Sequence, residues 1–463
     1  MSNSEKKIKV LKFGGTSVKN PQRLAHVAQI VASVSEAYKT IVVVSAMGDT
    51  TDSLVRLAGR CSDKPNPREL DVLLASGEQQ SIALLSIVLS DLDIKAKSFT
   101  GTQLGIITES NYGNAEILSI DAGKIDEAFV SNDVIVVAGF QGVTAAGDIT
   151  TLGRGGSDTS AVAIAAAVGA ELCEIYTDVD GIFTADPNII DGAVQHTRIS
   201  YDDCLEMAAK GAQVIYPRAV ECARENGVVL RVRSVFNPEN SGTVIDCLST
   251  SFTSSNSTSS ASSSSSSSSS NFSRPPIVGI TAVDGFSILK IEFDASLIHS
   301  QLIHDTVQSE VGHVNLIETF VQAKAALAKP LSESLLEAVT RSNASSAQSI
   351  ASYVITGLNR LSGQRLVEEL ADIPGVASAS IKFEITCICV VGSRAVSEVS
   401  SGSRLSVLLE SWKAEGILEG LPPFANDLSV ALYVSQECSR KAWYLLHDEL
   451  LLGAMGFSPL LSG

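Results

Sequence analysis

Two kinds of segment alternate along the first half of the chain. Short apolar runs rich in β-branched residues, bounded by glycine or polar residues, predict buried strands. We place these strands at 8–13, 40–46, 133–138, 171–177 and 228–233. Helical periodicity lies between them, for example from Pro21 to Ala37 and from Ala161 to Val168. This alternation predicts an α/β domain with a mainly parallel sheet sandwiched by helices.

The second half shows a different pattern, with closely spaced elements and partly exposed strands. Apolar patterns predict strands at 287–293, 314–320, 381–391 and 428–434 and helices at 404–412 and 440–452. The recurrence of strand, helix and strand predicts a smaller α+β region. We expect two copies of one small unit, with the Ala/Ser-rich residues 321–350 between them.

A serine-rich tract separates the two halves. Serine dominates residues 249–274 and forms an unbroken run at 262–270. Such a tract cannot bury enough apolar surface to offset the entropy that is lost on ordering. We therefore predict one domain at 1–248, a flexible linker at 249–274 and a second region at 275–463.

Composition narrows the class of protein. The 463 residues include 34 Lys and Arg against 51 Asp and Glu, a net charge of −17, which argues against a nucleic-acid or anionic-membrane binder. No run approaches the roughly 20 apolar residues that a membrane span needs. The polar N-terminus lacks the apolar core of a signal peptide, and the scattered cysteines form no CxxC pair, so we expect a cytoplasmic protein. The histidines show no zinc-binding spacing, and we predict no protein-held metal.

The segment KFGGTSV at 12–18 follows the first predicted strand. Its two glycines let the backbone approach an anion closely, and turned N–H groups can surround phosphate oxygens. Lys12 can supply a positive charge, and Ser17 or Thr16 can supply a hydroxyl. A strand that ends in a tight turn would have the same residues, and neither GxGxxG nor GxxxxGK[ST] is present.

The segment LGRGGSD at 152–158 directly precedes a helix that we predict to begin near Thr159. A glycine-rich turn at a helix N-terminus favours an anion through its free N–H groups and the helix dipole. Arg154 can bind a carboxylate or phosphate through two parallel hydrogen bonds. The alternative is a capping role for Ser157 or Asp158 and a solvated Arg154.

Three weaker candidates lie elsewhere in the first half. YTDVDGIFTADP at 176–187 follows a strand, so its carboxylates lie at the sheet edge where α/β folds bind ligands, although such a loop can also be an ordinary polar turn. Glu78, which we place in the first turn of a helix, can bind a ligand or simply favour the helix dipole. Ser45 ends a buried strand and can face a site or cap a turn. We interpret Lys210 and Arg218 as solvated charges.

Together, these segments resemble the aspartokinases, within the wider amino acid kinase fold. The resemblance rests on KFGGTSV at 12–18, VVVSA at 42–46, SGE at 76–78, TLGRGGSD at 151–158, YTDVDGIFTADP at 176–187 and RVRS at 231–234. The motifs occur in the order that the family shows and span nearly all of residues 8–245. The short interval between the first and third motifs resembles the compact class of aspartokinases.

The resemblance implies that ATP with Mg²⁺ phosphorylates the β-carboxylate of L-aspartate, the first step towards lysine, threonine, methionine and diaminopimelate. It implies that Lys12 and Asp158 are catalytic, that Glu78 binds the α-ammonium of aspartate and that Arg154 binds its α-carboxylate. The implied ATP-binding residues are Lys12, Phe13, Gly14, Gly15, Ser17, Thr177, Asp178, Phe183, Thr184, Asp186 and Pro187. The implied aspartate-binding residues are Ser45, Glu78, Arg154, Gly155, Gly156 and Ser157.

For the second half, the resemblance implies paired ACT-like, ferredoxin-like regulatory units, a lysine or threonine effector and a homo-oligomer. The chain departs from the family at Gln213, Tyr216 and Asn188, which we place on the nucleotide side. Two alternatives stay open. One is a kinase of the same fold for another substrate, such as N-acetylglutamate or UMP, and the other is a catalytically inactive amino-acid sensor.

Overall fold

A computed structural model of the chain describes residues 6–212, 214–247, 277–294, 307, 316–323, 348–356, 358–393, 395, 397, 403–419 and 424–452. The chain forms two compact units: Met1–Thr184 with Ala193–Arg274, and Ala185–Gly192 with Pro275–Gly463. Gln213 and the serine-rich tract lie outside the described residues.

The first unit contains two sheets and seven helices among its described residues. Its strands are β1 (Ile8–Phe13), β2 (Lys39–Val44), β3 (Ala96–Phe99), β4 (Ile106–Thr108), β5 (Ile117–Ile120), β6 (Val134–Ala138), β7 (Gln141–Thr144), β8 (Ile149–Thr151), β9 (Leu172–Thr177), β10 (Arg198–Ser200), β11 (Leu230–Ser234) and β12 (Thr243–Asp246). Its helices are α1 (Pro21–Ser35), α2 (Thr50–Cys61), α3 (Pro67–Ser90), α4 (Ala122–Phe129), α5 (Gly156–Ala167), α6 (Tyr201–Ala209) and α7 (Pro217–Asn226).

The main sheet has eight strands in the order β10-β12-β11-β9-β1-β2-β6-β3. Every neighbouring pair is parallel except β11 and β12. Strands β2 and β6 are buried runs rich in Val and Ile, as expected for a parallel sheet that is covered on both faces. This confirms the predicted α/β domain with a mainly parallel sheet.

The side chains of strand β1 alternate between the hydrophobic core and the opposite face of the sheet. Leu11 and Phe13 point into a core cluster with helices α1 and α3. Because side chains alternate along a strand, Lys12 points to the opposite face. Helix α5 packs on that face against β1, β2 and β9. The sheet is therefore sandwiched between helices, and Lys12 faces the N-terminal end of α5.

A smaller sheet, β5-β4-β7-β8, leads the chain into the second glycine-rich segment. Strand β7 follows β6 after a two-residue connection, and β8 ends at Thr151, directly before Leu152. Thus the β7–β8 hairpin ends directly before the segment that carries Arg154.

Helix α3 is long and apolar enough to cross a membrane by length and composition, although we predicted no such span from the sequence. It carries Asp71 and Glu78, which are both buried within the first unit. A core helix passes the same test of length and composition, and we interpret α3 as one.

The second unit has a six-stranded antiparallel sheet in the order β14-β15-β13-β16-β18-β17. Its strands are β13 (Gly279–Asp294), β14 (Leu316–Ala323), β15 (Gln348–Thr356), β16 (Val376–Val391), β17 (Phe424–Ala425) and β18 (Ser429–Ser435). Its helices are α8 (Arg360–Ala371), α9 (Arg404–Ala414) and α10 (Gln436–His447), followed by a π-helical turn at Asp448–Leu452.

This sheet corrects one expectation about the second half. The Ala/Ser-rich residues 321–350 do not mark a boundary between two units, because their ends lie in β14 and β15, which are hydrogen-bonded neighbours. Residues 324–347 lie outside the described residues. The strands on either side of this gap, β14 and β15, are neighbours in a single sheet.

The two longest strands, β13 and β16, pass through two apolar clusters. Leu289, Ile291 and Phe293 belong to one cluster with helix α8. Ile288 belongs to the other cluster, and the alternation along β13 places the clusters on opposite faces of the sheet. The pairing of β13 with β16 is irregular near Phe286, where the register shifts. Next to this shift, Gly285 in β13 and Glu384 in β16 have positive φ values of +93° and +60°.

Candidate active site

The first glycine-rich turn is held against the end of the neighbouring strand. The Gly48 N–H donates to the Gly15 carbonyl at 3.0 Å, and the Ser45 N–H donates to the Phe13 carbonyl at 3.1 Å. A Cβ at position 15 would lie 2.7 Å from the Ala46 carbonyl oxygen, so only glycine fits. The backbone can therefore make a tight turn directly after β1, as an anion-binding loop requires.

Two candidate residues of this turn are fully buried. The Phe13 ring stacks on Tyr176 at 4.6 Å between centroids, so its side chain belongs to the core. Ser17 is fully buried, and its hydroxyl has no hydrogen-bond partner among the described residues. A buried hydroxyl without a partner carries an energetic cost, and a ligand oxygen would relieve it.

Lys12 and Asp158 form an ion pair, with Nζ and Oδ1 2.5 Å apart. The exposed fractions of the two side chains are only 11% and 10%. Asp158 lies in the first turn of α5, where the helix dipole favours its negative charge. The pair brings the end of β1 and the start of α5 together, and it places an ammonium group next to Gly14.

The segment before α5 differs slightly from the prediction. The helix begins at Gly156 and is capped by Gly155 rather than by Ser157 or Asp158. Gly153 and Gly155 have φ of +73° and +69°, a conformation that L side chains rarely adopt. Arg154 lies between them and is exposed, and no hydrogen bond or ion pair to another described residue involves its guanidinium.

The ring of Tyr216 lies against Gly155. A Cβ at position 155 would be 2.1 Å from the Tyr216 Cγ, so the two residues are in direct contact. Tyr216, which we expect on the nucleotide side, thus packs on the loop at 152–155 that carries Arg154, here called the arginine loop, and its effect on ATP binding stays a prediction. Asn188, by contrast, donates from its backbone and side-chain nitrogens to Asp186 at 2.9 and 3.0 Å.

Two charged side chains that the sequence analysis missed hold the base of the arginine loop. The Asp71 carboxylate accepts hydrogen bonds from the N–H groups of Gly113 and Thr151 and from the Thr151 hydroxyl, at 2.8–2.9 Å. Arg218 donates to the carbonyls of Leu152 and Ala115 at 3.1 and 2.8 Å. The interpretation of Arg218 as a solvated charge is therefore wrong.

The turn at Gly139–Phe140, directly after β6, packs against helix α5. A Cβ at Gly139 would lie 2.8 Å from the Cβ of Ser157. The next residue, Phe140, has φ +68°, which is strained for a bulky side chain. Its N–H donates to the Ser160 hydroxyl at 3.0 Å, and its carbonyl accepts from the Leu152 N–H at 2.9 Å. No local sequence signal had singled out this turn.

Glu78 lies inside helix α3, not in its first turn, which corrects the sequence prediction. It is 2% exposed, and its Oε1 accepts a hydrogen bond from the Ala46 N–H at 3.0 Å. Its Oε2 is buried without a hydrogen-bond partner among the described residues. Burial raises the pKa of Glu78 to about 7, although backbone hydrogen bonds oppose the shift. Ser45, half-buried, directly precedes Ala46.

The structure places the predicted adenosine-binding residues in a loop that follows β9. Thr177 ends this strand, and its hydroxyl donates to Asp178 at 3.2 Å. Thr184 is buried and accepts from the Val194 N–H at 2.9 Å, while Phe183 is half-buried. Asp186 and Pro187 are exposed and belong to the second unit, so the first unit does not bring them together with Lys12.

The first unit thus collects most of the predicted residues around the carboxyl ends of β1 and β2 and the start of α5. Open α/β sheets bind ligands at this edge. A lysine, two glycine-rich turns, a helix N-terminus and a buried carboxylate at one edge form a site for an anionic group next to a cationic one. Among the described residues, no group of three or more His, Cys, Asp or Glu side chains could hold a metal ion.

This fold and this site resemble those of the amino acid kinases. Residues 7–234 match the model of the amino acid kinase family. Among its relatives, the aspartokinase of Geobacillus stearothermophilus is 52% identical over 237 residues, which cover 51% of this chain and 58% of that protein. The aspartokinase of Thermus thermophilus is 53% identical over the same length and coverage. The chain therefore matches 58% of the length of these curated relatives.

Solved structures resemble the chain over a longer span. The crystal structure of E. coli aspartokinase III with lysine and aspartate has a TM-score of 0.66 and 20% identity, covering 96% of this chain and 99% of that one. Aspartate kinase from Clostridium acetobutylicum has the same TM-score with 17% identity, covering 96% of this chain and 100% of that one. At these identities, the likeness establishes the fold, including that of the second half.

Proposed function

We propose that the chain transfers the γ-phosphoryl group of MgATP to the β-carboxylate of L-aspartate, giving 4-phospho-L-aspartate and ADP. The observation that carries this proposal is the Lys12–Asp158 ion pair at 2.5 Å, set between two glycine-rich turns. About half of the residues across this domain are identical to those of curated aspartokinases, which supports aspartate as the substrate.

In the proposed reaction, a β-carboxylate oxygen of aspartate forms a bond to the γ-phosphorus as the bond to the β–γ bridging oxygen breaks. ADP leaves with the electron pair of that bond, and no covalent intermediate with the protein is needed. Lys12 would neutralise charge on the phosphoryl group, and Asp158 would hold Lys12 in place. Gly14, Gly15 and Ser17 would contact the phosphates, and Mg²⁺ would be carried by the ATP oxygens.

Aspartate would bind between side chains whose charges are opposite to those of its own groups. The free Oε2 of Glu78 is a suitable acceptor for the α-ammonium group, because it is buried and without a partner among the described residues. The guanidinium of Arg154, which has no hydrogen bond or ion pair among those residues, would bind the α-carboxylate. Ser45 and the backbone at 155–157 would complete this side, and Thr177, Asp178 and the 183–187 loop would hold the adenosine.

We further propose that residues 1–248 are the catalytic domain, 249–274 a linker and 275–463 a pair of ACT-like units that bind lysine or threonine as an effector. Two apolar clusters on one shared sheet support a paired arrangement. The E. coli aspartokinase III structure contains lysine, and the C. acetobutylicum enzyme is described as allosteric. The proposal includes a homo-oligomer in the cytoplasm.

The test is a hydroxylamine trap for the acyl phosphate, with purified full-length protein and MgATP. We expect aspartyl hydroxamate with L-aspartate and none with N-acetylglutamate, which has no ammonium group for Glu78. Lys12→Ala should lower kcat by about 10²–10³-fold. Folded protein that forms no hydroxamate from aspartate would overturn the proposal. If lysine or threonine suppresses hydroxamate formation, that amino acid is the effector.

A further inference from the structure

Among the described residues, no hydrogen bond or ion pair fixes the guanidinium of Arg154. The residue is exposed. Its neighbours on both sides are glycines with positive φ, the residue type with the greatest backbone freedom. The direction in which Arg154 points must therefore be set by contacts that hold the loop from outside.

Asp71 supplies the first of these contacts from helix α3. It is 1% exposed, and all three of its hydrogen bonds go to Gly113 and Thr151. The Ala115 N–H also donates to the Thr151 carbonyl at 2.9 Å. These hydrogen bonds hold the end of β8 against the 113–115 segment. Strand β8 ends at Thr151, three residues before Arg154.

Arg218 supplies the second contact from the first turn of helix α7. One guanidinium nitrogen donates to the Leu152 carbonyl at 3.1 Å, and the other donates to the Ala115 carbonyl at 2.8 Å. An anion that accepts from N–H groups and a cation that donates to carbonyls thus bind the same two backbone segments. Because charged groups form stronger hydrogen bonds than neutral ones, the pair fixes the base of the arginine loop on both sides.

We propose that Asp71 and Arg218 are positioning residues for aspartate binding, which act by fixing the loop that presents Arg154 to the α-carboxylate. This inference rests on the proposed function. A displacement of about 1 Å in a binding group can cost on the order of 10²-fold in rate. The two anchors should therefore affect aspartate much more than ATP.

The first test is Arg218→Met, with Arg224→Met as its matched control. Arg224 lies on the same helix, but among the described residues its side chain pairs with the exposed Asp202 alone. We expect Arg218→Met to raise the KM for aspartate by about 10- to 100-fold with little change in the KM for ATP. Arg224→Met should leave both constants near wild type. Equal aspartate KM values in the two variants would overturn the inference.

The second test asks whether Arg218 acts through Arg154. In an Arg154→Ala background, Arg218→Met should raise the aspartate KM no further, because the group that it positions is gone. A merely structural role predicts that the two effects multiply. Full multiplication of the two effects would therefore overturn the positioning role.

Asp71 provides a third test through a conservative and a disruptive variant. Asp71→Asn keeps an oxygen for the two N–H groups and can donate to the Thr151 hydroxyl, so its aspartate KM should stay close to wild type. Asp71→Ala leaves those groups unpaired and should behave like Arg218→Met. An aspartate KM near wild type in a folded Asp71→Ala protein would overturn its role, and if that variant does not fold, the Arg218 tests decide.

These outcomes separate this inference from the proposed function. If calorimetry and the hydroxamate assay detect no aspartate binding or turnover in the wild type, the function fails and the positioning role fails with it. If the wild type is active and Arg218→Met matches Arg224→Met, only the positioning role fails.

Discussion

Glu78 shows how burial can prepare one side chain for a ligand. Its pKa is about 7 because burial disfavours the charged form, although the hydrogen bond from Ala46 partly compensates. In the folded protein the carboxyl group therefore holds a proton at pH values where an exposed glutamate would be ionised. An ammonium group that reaches Oε2 would favour the carboxylate, so the proposed binding of aspartate would be linked to loss of this proton.

We predict that the KM for aspartate rises by about tenfold between pH 8 and pH 6, because only the ionised Glu78 would bind the ammonium group. Glu78→Gln should raise the KM at pH 8 and should remove this pH dependence. Steady-state hydroxamate assays at several pH values measure both effects. Glu69→Gln is the control, since Glu69 lies on the same helix with an exposed side chain.

The same pKa shift affects stability with a definite sign. A folded-state pKa near 7, above the ordinary 4.5, means that the proton stabilises the folded state and that this stability is lost as pH rises through about 7. Glu78→Gln should therefore raise the free energy of unfolding at pH 8 by roughly 1–3 kcal/mol, but not at pH 4. Equal melting temperatures for wild type and variant at pH 8 would contradict the shift.

At the residue scale, sequence motifs located the residues that we propose to bind ligands better than the residues that hold the surrounding backbone. Lys12 and Arg154 stand beside glycines, which leave a recognisable local pattern. Asp71 and Arg218 act on backbone atoms far away in the chain, so nothing in their own neighbourhood reveals them. Phe140 takes its strained conformation from contacts with Ser160 and Leu152, which only the fold brings close.

At the scale of elements, the start of helix α5 is the most constrained part of the candidate site. It carries Asp158 in its first turn and is capped by Gly155, which lies under the ring of Tyr216. The conformation at Gly155 and the contact with Tyr216 both require the absence of a side chain. Changes there should move the loop and the helix N-terminus together.

We predict that Gly155→Ala lowers kcat/KM for aspartate by at least about tenfold, because the new methyl group would push the loop away from Tyr216. Its control is Gly227→Ala, which has a similar φ of +66° but open space around the site. Both variants should lose about 1–2 kcal/mol of stability from the backbone conformation alone. Thermal unfolding and kinetics distinguish these effects, and equal kinetic losses in the two variants would contradict the prediction.

Predictions of strands were more accurate than predictions of helix ends. Buried parallel strands are continuous runs of β-branched residues, so β1, β2 and β6 could be located to within a residue or two. Helix α3 was missed upstream of Glu78, because Ser76 and Gly77 look like a turn. In the structure Gly77 instead allows close packing, since a Cβ there would lie 2.9 Å from the Cβ of Ala46.

At the scale of the whole molecule, the sequence predicted two regions of different class. The eight-stranded, mainly parallel sheet and the six-stranded antiparallel sheet bear this out. The pairing of strands inside the second sheet could not be predicted, because hydrophobic alternation specifies a face and not a neighbour. The grouping of Ala185–Gly192 with the second unit likewise had no signal in the sequence.

We predict that deleting residues 252–271 leaves kcat, the KM values and the response to lysine or threonine unchanged, because a serine-rich linker should contribute length and little structure. Replacement of the same residues by an equally long Gly-Ser repeat is the control for composition. Loss of soluble protein after deletion, but not after replacement, would show that the length of the tract is needed. Loss in both variants would assign it a role in folding.

Strands β13 and β16 have a consequence for how the second half could have evolved. Each strand passes through both apolar clusters of the sheet, so neither cluster has a complete set of strands of its own. Domains joined end to end can be lost, exchanged or duplicated by a single cut in the gene. Here, any cut that removes one half also removes strands from the other, so the two must be inherited and replaced as a single module.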